Sequence, residues 1–253
     1  MEGQRVARYD FKAQRLFIED ALSADARILL DRDRSHYLAH VLRLKADDAI
    51  LLFNGRDGEW RAHIADVGKK AVALVVAERM RAQTQGPDIL YAFAPLKHAR
   101  LDYMIQKAVE MGASRLAPVI TQHTQAQRVN VERMRANAIE AAEQCGVLSV
   151  PDIDGEMKLQ RFLEALDQDR LLIFCDEDAE VADPVAVLRA IREKFARFAV
   201  LIGPEGGFST DERASLLRHR NVARVSLGPR ILRADTAAVA ALAAVQIAWG
   251  DWN

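Results

Sequence analysis

From residue 88 onward, short apolar segments alternate with longer amphipathic segments, and this alternation constrains the fold more than any other feature of the chain. Five apolar segments have the length of buried strands, and each is followed by a helical pattern. Parallel strands need such crossover helices, which then cover both faces of the sheet. The sequence therefore predicts an α/β fold with a parallel sheet. The predicted strands begin at Asp88, Ser114, Arg170, Arg197 and Val222.

The preceding part of the chain, residues 17–81, follows a different pattern. Its apolar runs are short, and clusters of Asp, Asn, Gly and Lys separate them, which is typical of strands joined by turns. One segment, 33–45, instead places Tyr37, Val41 and Leu44 on one face at helical spacing and predicts a helix. The predicted strands span 26–30, 49–55, 59–67 and 71–79, with a tight hairpin at Gly68-Lys69-Lys70.

A polar segment, 81–87, joins these two regions and ends in Gly-Pro, as is typical of a linker. We therefore predict two domains, a small barrel-like β domain over residues 1–84 and the α/β domain over residues 85–253. Within the second domain, Gly112 and Gly146 stand where predicted helices end, the position that glycine favours.

Composition excludes several classes of protein. The two cysteines, Cys145 and Cys175, lie far apart and show no metal-ligand spacing, so we expect neither a disulfide nor a metal site. The first residues lack the apolar core of a signal peptide, and no apolar run reaches the length of a membrane span, which predicts a cytoplasmic protein. A net charge of -1 argues against nonspecific binding of nucleic acid. It leaves room for a local RNA-binding patch.

Two predicted strands end in unusual glycine-proline loops, at residues 201–212 and 226–233. Ligands of open α/β sheets bind beyond the carboxyl ends of the strands, and glycine lets the backbone approach a ligand closely. Neither loop has the Lys-Ser or Lys-Thr pair of a P-loop or the spacing G-x-G-x-x-G, so we do not expect a phosphate ligand. Backbone groups and apolar side chains suit a flat ligand such as adenine with a ribose; two plain βα turns are the alternative. Ser209 and Glu212 have capping-box spacing, which predicts a helix start just past the glycines.

The two loops also carry a resemblance to a known class of enzymes. The strings LIGPEGGFSTDE and VSLGPRILRADTAAVAALAAVQ resemble the signature of the SPOUT class of S-adenosylmethionine-dependent RNA methyltransferases. More narrowly, they resemble the family that methylates N3 of a uridine in 16S ribosomal RNA. Further segments resemble that family in the same order along about 240 residues. These segments are 15–17, 36–48, 53–64, 97–122 and 136–153.

The resemblance implies a fold, a cofactor and partners. The C-terminal domain would be a SPOUT domain with a deep trefoil knot, an exception to the rule that protein chains are not knotted. The N-terminal domain would be a PUA-like RNA-binding β-barrel. The cofactor would be S-adenosylmethionine, without a metal. The partners would be 16S ribosomal RNA or the assembling small ribosomal subunit, and a second copy of the chain in a homodimer.

The resemblance also assigns candidate residues. The expected cofactor-binding residues are Cys175, Ile202, Gly203, Pro204, Glu205, Gly206, Gly207, Leu227, Gly228, Ile231 and Leu232. The candidate RNA contacts are Arg15, His36, Arg43, Lys97 and Arg100. For each of these five residues taken singly, a solvated surface side chain is the alternative interpretation.

Two residues are candidates for catalysis. Methyl transfer needs an available lone pair, and N3 of uridine carries a proton at neutral pH, so the site must favour loss of that proton. Arg233 would stabilise negative charge on the uracil carbonyl oxygens. Asp235, or a carboxylate of the partner subunit, would act as a general base. The alternatives are a phosphate anchor or a neighbour of the helix dipole for Arg233, and an N-terminal helix cap for Asp235.

The chain departs from the family pattern at two places. Asp235 stands where the family usually has Glu, and the segment after Thr121 reads QHTQAQR where the family tends to have Glu-Arg-Ser. A basic RNA contact would then fall on His123 or Arg128. Two other functions stay open at this point. One is a SPOUT methyltransferase acting on guanine or a ribose hydroxyl, and the other is a non-catalytic RNA-binding factor in ribosome assembly.

Overall fold

The structure is a computed structural model, and it divides into two compact units. The first unit contains the described residues up to Gln85 together with Ala142–Ser149, and the second contains Gly86–Ala141 and Val150 onward. The hairpin predicted at Lys69 and Lys70 lies outside the described residues. The described residues are 13–68, 71–97, 99–126, 128–180 and 182–252.

The first unit is a five-stranded sheet with one short helix. The strands follow the spatial order β1-β3-β4-β5-β2, with β1 parallel to β3 and the other neighbours antiparallel. All five strands place aliphatic side chains in one core, so the sheet curls around that core. This agrees with the predicted PUA-like domain. The elements are β1 Arg15–Phe17, β2 Arg27–Leu29, α1 Arg32–His36, β3 Ala49–Phe53, β4 Glu59–Val67 and β5 Val72–Arg81.

The helix of the first unit is shorter than the predicted segment 33–45. Helix α1 continues as one π-helical turn over Tyr37–Val41 and ends there. Arg43 adopts a φ of 57°, and the amide of Leu44 donates to the carbonyl of Leu38, which closes the helix end. The prediction was therefore too long at its C-terminal end, because the apolar spacing continues past a left-handed residue that the pattern cannot reveal.

The second unit is built on a seven-stranded sheet whose paired strands are all parallel. The order is β12-β10-β11-β6-β7-β8, and β9 also pairs with β7. The parallel α/β fold predicted from the alternation is confirmed, whereas β9 and α4 were not predicted. The elements are β6 Ile89–Phe93, α2 Ala99–Glu110, β7 Arg115–Ile120, α3 Val131–Cys145, β8 Asp152–Ile153, β9 Met157–Lys158, α4 Leu159–Ala165, β10 Arg170–Cys175, α5 Pro184–Ala190, β11 Arg197–Ile202, α6 Thr210–Leu217, β12 Val222–Val225 and α7 Ala234–Trp249.

Burial explains why the central strands are continuous apolar runs. Every residue of β6 is buried, as are all but the last residue of β10 and all but the first residue of β11. Helices cover both faces of a parallel sheet, so neither face of these strands meets water. Gly112 follows α2 with a φ of 75°, which confirms the predicted helix stop. Within the described residues, no helix is long and apolar enough to span a bilayer.

An ion network ties the amino ends of β6, β10 and β11 together. The buried guanidinium of Arg170 donates to Asp88, with an Nη1–Oδ1 distance of 2.8 Å, and Arg197 donates to the same carboxylate. Partial burial raises the pKa of Asp88, but the hydrogen bonds from Arg170 and Arg197 outweigh it and leave the pKa below its ordinary value. The network therefore occupies the edge of the sheet opposite to the strand ends that carry the glycine-proline loops.

Candidate functional site

A cleft of about 640 Å³ lies at the carboxyl ends of β10, β11 and β12. Three loops and the first turns of α7 form its walls. This is where ligands bind in open α/β sheets, and the volume falls in the usual range for small-molecule sites, about 300–1,000 Å³. Of the residues expected to bind the cofactor, ten line the cleft: Cys175, Ile202, Gly203, Pro204, Glu205, Gly207, Leu227, Gly228, Ile231 and Leu232.

Gly206 is the exception among the expected cofactor contacts. Gly206 faces His123, because a Cβ atom on Gly206 would lie 3.2 Å from Cβ of that histidine. Nδ1 of His123 lies 3.0 Å from the carbonyl oxygens of both Gly206 and Gly207, which makes Nδ1 the donor. Gly206 thus seats the glycine loop on the segment after β7, and His123 contacts that loop.

The glycine loop is fixed at its far end by the start of α6. The hydroxyl of Ser209 accepts from the amide of Glu212, and the Glu212 carboxylate accepts from the amide of Ser209. The predicted capping box is therefore confirmed. The other carboxylate oxygen of Glu212 accepts from the amide of Gln122, at 2.7 Å. One side chain holds both the helix start and the neighbouring segment, so this wall of the cleft has a defined position.

The second loop presents its backbone to the cleft. Gly228 has a φ of 102°, a conformation that side chains disfavour, and a Cβ atom there would meet no other atom within 4 Å. The apolar side chain of Ile231 is 91% exposed. A bare backbone and an uncovered apolar side chain can both contact a flat ligand.

The third wall is acidic, and the sequence interpretation missed most of it. Asp176, Glu177 and Asp178 directly follow Cys175 at the end of β10 and line the cleft. Asp176 is buried, and its carboxylate accepts from Arg213 at 2.9 Å and from Arg224 at 2.8 Å. The signal in the sequence was three consecutive acidic residues after a predicted strand. Their part in the cleft follows from the position of β10 between β11 and β12.

The two candidate catalytic residues differ in their surroundings. Arg233 is the N-cap residue of α7 and is exposed, and within the described part of the chain its side chain makes no hydrogen bond or ion pair. Asp235 lies in the first turn of α7, where its Oδ1 accepts from the amide of Thr236 at 2.8 Å. Its Oδ2 accepts from Nε of Arg100 at 3.0 Å. The hydrogen bond from Arg100 lowers the pKa of Asp235 despite partial burial, so the carboxylate is a weak base.

The candidate RNA contacts fall into two groups. His36, Arg43 and Lys97 are exposed, as an RNA contact requires. Arg15 and Arg100 differ from these three residues, because carboxylates engage both of them. The side chain of Arg15 is 5% exposed and paired with Glu59, and Arg100 pairs with Asp235 and Glu205. The buried guanidinium of Arg15 is not presented to a phosphate, whereas an RNA contact of the partly exposed Arg100 stays a prediction.

The described residues of the cleft favour neither a nucleophilic cysteine nor a metal site. Cys175 is half-buried, and burial raises the pKa of its thiol to about 12, so the thiolate required of a nucleophile does not form near neutral pH. Among the described residues, no group of three or more His, Cys, Asp or Glu side chains is arranged to hold a metal ion.

Comparison with known families matches both units. A family described as "RNA methyltransferase domain" matches residues 84–246, and one described as "RNA methyltransferase PUA domain" matches residues 30–77. A protein of Rickettsia conorii named "Ribosomal RNA small subunit methyltransferase E" is 33% identical over 237 residues. That alignment covers 93% of this chain and 96% of the relative.

Solved structures give the same picture of the fold. A methyltransferase of Legionella pneumophila, solved with bound cofactor SAM, superposes with a TM-score of 0.83 at 27% identity and covers 95% of this chain and 99% of its own. A ribosomal RNA small subunit methyltransferase E of Neisseria gonorrhoeae, bound to S-adenosyl methionine, superposes with a TM-score of 0.84 at 24% identity, covering 95% of this chain and 100% of its own. The similarity to the Neisseria gonorrhoeae structure supports the fold alone.

Proposed function

The chain belongs to the RNA methyltransferase family, and from this premise we propose that it methylates N3 of a uridine in 16S ribosomal RNA with S-adenosylmethionine as the methyl donor. The observation that carries the proposal is the cleft at the ends of β10, β11 and β12. Relatives matched over nearly their whole length are named ribosomal RNA small subunit methyltransferases. The choice of uridine N3 rests on the family resemblance of the sequence.

The residues of the cleft fit S-adenosylmethionine. The backbone around Gly228 is bare, so a flat adenine ring has room beside it. The acidic wall offers carboxylates to ribose hydroxyls and to positive charge, since Glu177 and Asp178 are exposed there. The described lining offers no lysine for a phosphate, in keeping with a ligand that has none. When bound, S-adenosylmethionine supplies a methyl group on a positively charged sulfur.

Arg233 is the residue that we assign to the chemical step. A uridine whose N3 proton leaves carries negative charge on its carbonyl oxygens, and an arginine can offer two parallel donors to such an oxygen. Arg233 lines the cleft, is exposed, and is not engaged by a carboxylate in the described part of the chain. Its donors gain strength as the uracil becomes anionic, so they stabilise the transition state more than the ground state.

Asp235 is better suited to a structural role than to general base catalysis. Its lowered pKa keeps it ionised, but a weak base takes up a proton poorly. Its two oxygens are already used by the start of α7 and by Arg100. We therefore propose that the N3 proton passes to solvent water and that Arg233 stabilises the uridine anion that remains.

The first unit is proposed to bind the RNA. His36 and Arg43 are exposed around α1, and Tyr37 beside them is an exposed aromatic side chain on which a base can stack. The RNA bound by the first unit would be 16S ribosomal RNA, either by itself or in the assembling small subunit. We therefore propose that the protein acts in the cytoplasm.

A homodimer and a trefoil knot complete the proposal. In the second unit, large apolar side chains on the surface include Tyr103 of α2 and Ile247 of α7, as expected of a face that a second copy covers. The knot would be formed by the segment that runs from β12 into α7.

The test is to map methylated positions in 16S ribosomal RNA from cells with and without this gene. The purified protein is then assayed with S-adenosylmethionine on RNA from the deficient cells. Loss of one 3-methyluridine, restored in the assay, is the expected result. Loss of a methylated guanine or ribose would instead show another activity of the class. Cofactor binding without methyl transfer to any RNA would indicate a non-catalytic assembly factor.

A further inference from the structure

Arg100 connects two walls of the cleft that are far apart in the chain. It is the second residue of α2, and its Nε donates to Oδ2 of Asp235 at 3.0 Å, while its Nη1 donates to Oε1 of Glu205. Glu205 belongs to the glycine loop after β11, and Asp235 to the first turn of α7. One guanidinium therefore bridges the glycine loop and the helix start that follows the second glycine-proline loop.

The bridge has a clear electrostatic reason. Glu205 and Asp235 are like charges, and without a cation between them they would repel. The hydrogen bonds that Arg100 donates to Asp235 and Glu205 raise the pKa of Arg100, and the one to Asp235 lowers the pKa of that carboxyl group. Arg100 and Asp235 thus hold each other in their charged forms.

The geometry of the bridge depends on arginine. A guanidinium is a rigid, planar fork that can address two carboxylates in fixed directions, whereas a lysine ammonium is a point charge on a flexible stem. Among the described residues, Nη2 of Arg100 is buried and has no hydrogen-bond partner. Nε and Nη1 donate to Asp235 and Glu205, and these two hydrogen bonds fix the plane of the guanidinium.

We propose that Arg100 is a positioning residue that locks the glycine loop to the start of α7 and so forms the cleft before the cofactor arrives. The side chains of Arg100, Glu205 and Asp235 are 35%, 41% and 18% exposed. Ion pairs this exposed contribute little to the free energy of unfolding. The effect of Arg100 is therefore on the relative position of the glycine loop and the start of α7 and not on global stability. The cofactor part of this inference rests on the proposed function.

Arg133 provides a matched control. It lies in α3 and donates to Asp102 of α2 through two hydrogen bonds, at 2.9 and 2.5 Å. Asp102 does not line the cleft, whereas Glu205, a partner of Arg100, does. Arg100→Gln and Arg133→Gln each remove one surface guanidinium from a carboxylate partner. Only Arg100→Gln removes the contact between the glycine loop and the start of α7.

The first measurement needs no ligand. Amide hydrogen exchange of the free full-length protein reports how often loop 203–209 and the first turn of α7, residues 234–238, open. We expect Arg100→Gln to speed exchange in both segments at least fivefold, with Arg133→Gln unchanged there and both variants melting at similar temperatures. Unchanged exchange in these segments, or equal acceleration by the Arg133 variant, would overturn the proposal.

The second measurement is calorimetric titration with S-adenosylmethionine. Arg100→Gln should raise Kd at least tenfold, Arg100→Lys should recover only part of that loss, and Arg133→Gln should bind as the wild type does. If Arg100 acts through Glu205, Arg100→Gln should raise Kd less in a Glu205→Gln variant than in the wild-type protein. An unchanged Kd with a raised KM for RNA would make Arg100 an RNA contact and refute the positioning role. A wild-type protein that does not bind the cofactor would refute the proposed function, whereas hydrogen exchange would still decide the role of Arg100.

Discussion

Nε of Arg15 lies 3.0 Å from Oε1 of Glu59, and both side chains are about 5% exposed or less. Arg81, on the strand next to Glu59, donates to both oxygens of the same carboxylate, at 2.8 and 2.7 Å. A buried carboxylate thus lies between two guanidiniums in the first unit. Removal of one charge from such a cluster destabilises the fold, because it leaves the other charges uncompensated in a poorly solvated site.

Glu59→Gln should therefore destabilise the protein strongly. We expect a loss of about 3 kcal/mol or more in the free energy of unfolding, measured by chemical denaturation of the full chain. Glu78→Gln is the control, because Glu78 pairs with Arg61 on the same two strands but its side chain is 63% exposed. The control should change stability by about 0.5 kcal/mol or less. Equal effects of the two changes would mean that burial of the ion pair is not what matters.

Arg233→Ala should lower turnover on ribosomal RNA by about a hundredfold or more, with the affinity for S-adenosylmethionine little changed. Arg233→Lys should recover little activity, because a point charge does not reproduce the guanidinium fork. Single-turnover rates at saturating RNA are the measurement.

Arg230→Ala is the matched control for Arg233. Arg230 belongs to the same loop and is also exposed. It should affect RNA affinity and leave the single-turnover rate intact. A normal rate for the Arg233 variant, with only weaker RNA binding, would make Arg233 a phosphate anchor.

Gly228→Ala should weaken cofactor binding. The added Cβ has open space, but the φ of 102° is strained for any residue other than glycine, at a cost of about 1–3 kcal/mol, and relief of that strain moves the loop. Gly155→Ala, where a Cβ also meets nothing within 4 Å and φ is not in the positive region, is the control. Calorimetric titration with S-adenosylmethionine should show a loss of affinity for Gly228→Ala and none for Gly155→Ala. Wild-type affinity of a folded Gly228→Ala protein would show that the loop backbone does not contact the cofactor.

The exposed basic residues of the first unit should act on RNA and not on the cofactor. We expect a His36→Ala, Arg43→Ala double variant to raise Kd for ribosomal RNA about tenfold and to reduce its salt dependence, because fewer phosphate contacts release fewer counterions. Its Kd for S-adenosylmethionine should stay as in the wild type. Unchanged RNA binding at several salt concentrations would remove α1 and its following turn from the RNA-binding surface.

Asp88 should contribute to the acid sensitivity of the fold. Its pKa is lowered in the folded chain, so its contribution to stability is fully present above the ordinary aspartate pKa of about 3.9 and is lost as pH falls through the lowered value. Asp88→Asn should therefore be less stable than the wild type near neutral pH and should lose less stability between about pH 5 and pH 3. Denaturation curves across that range test this, and two parallel pH profiles would contradict it.

The sequence alone determined the class of the second unit and the place of its site. Apolar runs with following helices predict a parallel sheet, because only strands covered on both faces dispense with polar alternation. The capping box of Ser209 and Glu212 was predictable as well, since it is local along the chain. Two glycine-proline loops at strand ends then indicated where a ligand binds, and both loops line the cleft.

Only the tertiary structure decided which side chains meet. Arg100 reaches a carboxylate 135 residues away, and Arg15 is buried beside Glu59 on a different strand, and neither contact could be read from the sequence. Gly206 faces His123, although its neighbours in the same loop line the cleft. Periodicity reports that a residue faces inward or outward, but the partner of a charged group depends on strand order and on loops that are distant in sequence. That order places β10 between β11 and β12 and brings Asp176 to the site.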